Sequence, residues 1–167
     1  MKKLLSRLIA FSLFAFILVS CDSKTPLTLH WEFGQNDLTP GVCEAYLTLT
    51  NTSCDTLTNE GWTLYFNLMS LHPIYTEGDA LCETEIQASW HSIVPTENFE
   101  PIAPGESKTF VMRYRGNAIR QSSHPEGFFI VYDEEARNAK PISVPCTYVP
   151  YTRQEQMKRG IPTWEKT

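Results

Sequence analysis

Two carboxyl groups about 5 Å apart can support retaining glycoside hydrolysis, and the 19 acidic residues of this 167-residue chain include two close pairs. Glu83/Glu85 precede an extended run, and Glu134/Glu135 fall in the turn after Tyr132-Asp133. Both pairs read as solvated loop charge. No serine sits in G-x-S-x-G, and neither a phosphate loop nor H-E-x-x-H occurs. His30, His72, His91 and His124 lack metal-ligand spacing and there is no C-x-x-C pair, so no metal and no other cofactor is expected. Asp55-Thr56-Leu57 resembles a short O-glycosylation motif of some anaerobic bacteria, with a turn as the simpler reading. The expectation is a chain that is not an enzyme.

Aromatic residues are the stronger lead. Sugars offer C–H faces that stack on flat rings, and amides or carboxylates at the rim bind their hydroxyls; binding sites generally pair apolar walls with a few polar groups. Trp62 and Phe66 share one apolar face and read as core. Trp31 shares the apolar face of the first extended run, so core packing competes with sugar contact there. Trp90, in Ala88-Ser89-Trp90-His91, and Tyr75, in a loop after Pro73-Ile74, complete the candidate carbohydrate-binding set of Trp90, Tyr75 and Trp31.

The elements that must position these rings are strands. Leu27, Leu29, Trp31 and Phe33 alternate with polar residues, as do Ala45, Leu47 and Leu49, and then Trp62, Leu64, Phe66 and Leu68. Further runs are Glu85–Val94, Lys108–Arg115, Gly127–Tyr132 and Ile142–Val149, punctuated by Pro101, Pro104-Gly105, His124-Pro125 and Pro141. About seven short strands predict an all-β, immunoglobulin-like β-sandwich. It occupies residues 27–150, and 151–167 form a polar, basic, linker-like tail.

Ahead of that domain, Lys2, Lys3 and Arg7 precede an apolar run from Leu8 to Val19 that is too short for a membrane span. Leu18-Val19-Ser20-Cys21 resembles a bacterial lipobox. Residues 1–20 then form a lipoprotein signal peptide, Cys21 carries the lipid, and 21–26 make the tether. Acyl chains anchor without spanning. The expected location is the bacterial cell envelope, facing the periplasm first and the cell surface second. Losing the leader takes the net charge from −5 to −8, which excludes a basic nucleic-acid binder.

Four cysteines remain for an oxidising compartment, and they allow three pairings. Across an intervening strand, Cys43 and Cys54 would stand ~30 Å apart at ~3.3 Å per residue, beyond disulfide reach. An up-and-down order puts Cys43 and Cys82 at the same end of adjacent strands and predicts that bond. Cys54 and Cys146 stay unassigned.

Ala45-Tyr46-Leu47-Thr48-Leu49-Thr50-Asn51-Thr52 and Gly61-Trp62-Thr63-Leu64-Tyr65-Phe66-Asn67 resemble the N-terminal carbohydrate-binding domain of chitobiases and bacterial β-hexosaminidases. The resemblance continues through Ile93-Val94-Pro95, Ile102-Ala103-Pro104-Gly105-Glu106-Ser107 and His124-Pro125-Glu126-Gly127-Phe128-Phe129. It implies a cellulose-binding-module-like β-sandwich that precedes a catalytic barrel in the family, with no catalytic residue to carry over. The expectation is a lipid-anchored, non-catalytic domain for N-acetylhexosamine-containing glycans. The alternative is the truncated or split N-terminal module of a hexosaminidase, docking against a partner glycosidase.

Overall fold

The computed structural model describes residues 25–35, 39–116, 118, 123–132 and 140–149. The expected leader, Cys21, Glu134/Glu135 and the tail 151–167 lie outside the described residues. Ten strands follow in order: β1 Leu27–Phe33, β2 Val42–Asn51, β3 Trp62–Asn67, β4 His72–Ile74, β5 Leu81–Gln87, β6 Trp90–Pro95, β7 Ser107–Arg115, β8 Glu126–Tyr132, β9 Ile142–Ser143 and β10 Cys146–Tyr148. One sheet has the order β10-β1-β2-β7-β4 and the other β5-β6-β3-β8-β9. Neighbours are antiparallel except β10, which runs parallel to β1. The chain is an all-β sandwich, with seven long strands and three of two or three residues among the described residues.

Strict alternation builds the core. Leu27, Leu29, Trp31 and Phe33 of β1 and Cys43, Ala45, Leu47 and Leu49 of β2 point inward, against Trp62, Leu64 and Phe66 of β3. Each fully buried large apolar side chain contributes about 1.5–3 kcal/mol. The polar exceptions are well tied. Asn51, buried at the end of β2, donates to the carbonyls of Asp55 and Ile102 at 2.8 Å each, and its own oxygen accepts from Ser53. That one amide fixes the loop after β2. Before β7, Pro104 and Gly105 form a tight turn in which Glu106 N–H reaches the Ala103 carbonyl at 3.0 Å. Gly105 sits at φ 80°, the left-handed position that such a turn reserves for glycine.

Four expectations need correction. The run Glu85–Val94 is not one strand: the chain reverses at Ala88-Ser89 between β5 and β6. Ile142–Val149 likewise divides into β9 and β10, which belong to different sheets. Cys43 and Cys82 form no disulfide, since both are thiols. Cys43 faces the core from β2, whereas Cys82 sits on the outward side of β5 in the opposite sheet, so the shared-end argument fails. Cys146 is also a thiol.

Glu83 and Glu85 are the fourth correction, because they belong to β5 rather than to a solvated loop. Both tie the sheets together along one side. Glu83 accepts from Tyr114 Oη of β7 at 2.7 Å and pairs with His91 Nδ1 of β6 at 2.9 Å. Glu85 pairs with His72 of β4 at 2.6 Å. Burial pushes the Glu83 carboxyl above its ordinary range, against the opposing effect of its His91 and Tyr114 hydrogen bonds. Tyr114 is driven far up, first by burial and then by the Glu83 charge.

Candidate functional site

Residues paired across neighbouring strands share a face, so the registers lay out the outer surface of the second sheet. One row runs Gln87, Trp90, Asn67, Glu126 across β5, β6, β3 and β8. The next outward row is Thr84, Ser92, Tyr65, Phe129 and Ser143. Three rings from these rows meet above the sheet. Tyr65 lies 5.2 Å from Phe129 and 5.9 Å from Trp90 between centroids, nearly parallel to both, and Trp90 and Phe129 are 5.5 Å apart. All three are half-buried, while Asn67, Gln87 and Glu126 around them are exposed.

Two irregularities shape the rim of this group. The register of β5 against β6 shifts between Glu85 and Gln87, and that of β3 against β8 shifts between Tyr65 and Asn67. In β8 the extra residue falls where Gly127 adopts φ 70°. Such bulges twist a strand and redirect its side chains. Here they leave Gln87 facing outward beside Trp90 and bring Glu126 to the outer face that already carries Phe129. The turn between β5 and β6 adds local strain, because Ala88 holds φ 51°, a region a side chain with a Cβ visits at a cost.

The three sequence candidates separate. Trp90 is in the cluster. Trp31 is 1% exposed and packs on Phe33 and Tyr114 at 6.1 and 5.8 Å, a core position that corrects its place among the sugar-contact residues. Tyr75 is 49% exposed but follows β4 at the edge of the first sheet, away from the outer face that carries Trp90. Tyr65 and Phe129 were not among the candidates. Alternation with Trp62, Leu64 and Phe66 turns Tyr65 outward, and alternation with Phe128 and Ile130 does the same for Phe129; their meeting depends on the pairing of β3 with β8.

The outer face of the first sheet has a different chemistry. Thr48 and Thr109 share a hydrogen bond of 2.8 Å, Thr50 and Ser107 one of 2.7 Å, and His30 and Thr147 one of 2.8 Å. At one end of the sandwich a cleft of about 730 Å³ is lined by Asp55, Thr56, Leu57, Glu60, Trp62 and Tyr132, among others. The possible glycosylation motif falls there, with Asp55 and Thr56 exposed and Leu57 buried. Burial, and then the Asp55 charge, raise the Tyr132 hydroxyl. Among the described residues no group of three or more His, Cys, Asp or Glu is placed to hold a metal ion.

A two-sheet sandwich that presents joined rings and exposed amides on one outer face has the build of a carbohydrate-binding domain. Residues 35–159 match the family described as "Putative carbohydrate binding domain", and the chain belongs to that family. Among solved structures it is similar to the family GH20 exo-β-N-acetylglucosaminidase of Vibrio harveyi, at 15% identity and TM-score 0.54, over 77% of this chain and 19% of that one. A family GH18 chitinase of Chromobacterium violaceum aligns at 13% identity and TM-score 0.50, over 83% and 20%. A family IIIA cellulose-binding domain of Clostridium cellulolyticum aligns at 9% identity and TM-score 0.44, over 75% and 100%. The first two likenesses show the fold, and this chain spans about a fifth of the length of those enzymes. No curated protein sequence matches the chain.

Proposed function

We propose that the chain is a non-catalytic, lipid-anchored domain that binds N-acetylhexosamine-containing glycans through the outer face of its second sheet. The observation that carries this reading is the cluster of Tyr65, Trp90 and Phe129, with Asn67 and Gln87 beside it. Rings supply an apolar wall for a sugar's C–H face, and the exposed amides can donate to and accept from its hydroxyls. The Vibrio harveyi enzyme was solved in complex with N-acetylglucosamine, which supports amino sugars as the first ligands to try. A screen of the full chain at millimolar glycan should give saturable binding that Trp90→Ala abolishes. A screen without any ligand overturns the proposal.

The anchor rests on the leader and Cys21. The domain would then face the periplasm from a membrane of the bacterial envelope, with the cell surface as the other position. Labelling with palmitate should mark the wild-type chain and fail in Cys21→Ser. A mature protein in which Cys21 is found in a disulfide rejects lipid attachment there.

A second reading, docking on a partner glycosidase, is favoured by one observation. Met69 and Ile86, 60% and 50% exposed, follow β3 and sit in the bulge of β5 at the same end of the second sheet. The Leu68 N–H bonds to the Ser89 carbonyl there at 2.8 Å, joining the two segments. Charge at both positions (Met69→Lys with Ile86→Lys) should leave glycan binding intact and weaken association with the glycosidase, if docking is the role.

A further inference from the structure

The ring cluster is compact, and its boundaries can be read from the register. Its three centroids lie 5.2–5.9 Å from one another, so the rings make one patch rather than a line of separate platforms. Outward rows follow each other about every 7 Å along a strand. Beyond the Tyr65 row, the next positions pair Cys82 with Val94 and Thr63 with Val131, and no ring among these described positions continues the patch. Across the strands it is closed by Gln87 and Thr84 on β5 and by Glu126 on β8. A long polymer chain lying on a protein surface needs rings repeated at the spacing of its sugar units. This face has room for a single stop.

Charge narrows the ligand further. The outward positions named here include no lysine or arginine, and Glu126 places a carboxylate at the rim. An anionic sugar would meet the Glu126 carboxylate with no lysine or arginine at these described positions to offset it, the usual means by which surfaces reject wrong partners. We infer that this face takes one or two neutral sugar units at the end of a soluble glycan, not the surface of an insoluble polymer and not an acidic saccharide. The inference rests on the carbohydrate-binding reading above and specifies its ligand.

The test uses the full chain in mild detergent. Tryptophan fluorescence is followed against N-acetylglucosamine, its β-1,4-linked oligomers from two to six units, and a uronic-acid-containing disaccharide. Retention on insoluble chitin and on microcrystalline cellulose is measured in parallel. Affinity should rise from one unit to two and then change by less than about threefold through six, with only background retention on either polymer. The acidic disaccharide should bind at least about tenfold more weakly, or 1.4 kcal/mol.

An affinity that climbs about tenfold between two and six units, or clear retention on a polymer, overturns the inference while leaving carbohydrate binding standing. Equal binding of the acidic disaccharide does the same. No response to any sugar together with no retention overturns the carbohydrate reading itself. Asn67→Ala, at an exposed position, guards against misfolding of Trp90→Ala. Unchanged affinity in both variants puts the site elsewhere and overturns the assignment to this face.

Discussion

The two outer faces of the sandwich start from the same alternating pattern and end with opposite surfaces. On the first sheet, β2 and β7 pair in unbroken register from Val42 opposite Arg115 to Thr50 opposite Ser107. Short hydroxylated side chains stand opposite each other there and bond across the strands, as Thr48 does to Thr109 and Thr50 to Ser107. On the second sheet the register breaks twice, and the breaks flank Trp90 and Asn67. At the Thr50 end of the first sheet the short side chains satisfy one another's polar groups, while toward Val42 the same ladder carries Tyr46 opposite Val111 and Glu44 opposite Arg113. The irregular sheet raises three large rings and a row of exposed polar groups. Its bulges turn Gln87 and Glu126 to the face that carries the rings and so complete a polar rim there.

The sharpest test of that contrast uses the two tryptophans that the sequence could not separate. Trp31→Ala empties a core position behind the first sheet, and removing a buried aromatic costs about 3–5 kcal/mol. Its unfolding midpoint in denaturant should fall accordingly, and what folded protein remains should still bind glycan. Trp90→Ala should do the reverse, with a modest loss of stability and a loss in affinity of about tenfold or more, equivalent to 1.4 kcal/mol. If the two variants exchange these phenotypes, the binding face has been assigned to the wrong side of the molecule.

A smaller effect tests what holds the faces back to back. Glu83 reaches Tyr114 of the first sheet and His91 of the second from a buried position. Its carboxyl is raised above the ordinary value because burial penalises the charge. With the folded value above the unfolded one, the folded state holds the extra proton between the two. The stability associated with that proton is therefore complete below pH 4.5 and is lost as pH rises through the folded value. Glu83→Gln stays neutral and can still accept from Tyr114. Measured as the difference in unfolding free energy from Glu83→Gln, the wild type should weaken as pH climbs from 4 to 7. A difference that is flat, or rises with pH, removes the charge cost from this seam.

Much of the frame was legible because β1, β2 and β3 alternate without interruption, and that pattern also turned Tyr65 outward. The rest was hidden by irregularity. Ala88-Ser89 carries no turn signature, since alanine is not a residue expected at φ 51°, so the hairpin of β5 and β6 read as one strand. Phe129 stands opposite Tyr65 through the long-range pairing of β8 with β3, and the bulge near Gly127 then turns Glu126 to the same face. Sheet membership is a long-range property, which is why Cys43 and Cys82 were paired on local spacing. Glu83 was read as solvent charge because its two partners come from elsewhere in the chain, His91 on β6 and Tyr114 on β7.

The least effect is expected on the hydroxylated face, and its smallness is the point. Thr48→Val alone leaves the Thr109 hydroxyl without its 2.8 Å partner, but that hydroxyl is exposed and water replaces the lost bond. Thr48→Val with Thr109→Val removes both partners together, and paired apolar replacement can be nearly neutral. β-Branched valine also suits a strand. Both variants should stay within about 0.5 kcal/mol of wild type, the usual range for surface substitutions, with glycan affinity unchanged in the same fluorescence titration. A drop in affinity here, with stability preserved, would mean that hydroxyls rather than rings meet the sugar, and the contrast between the faces would have to be read in reverse.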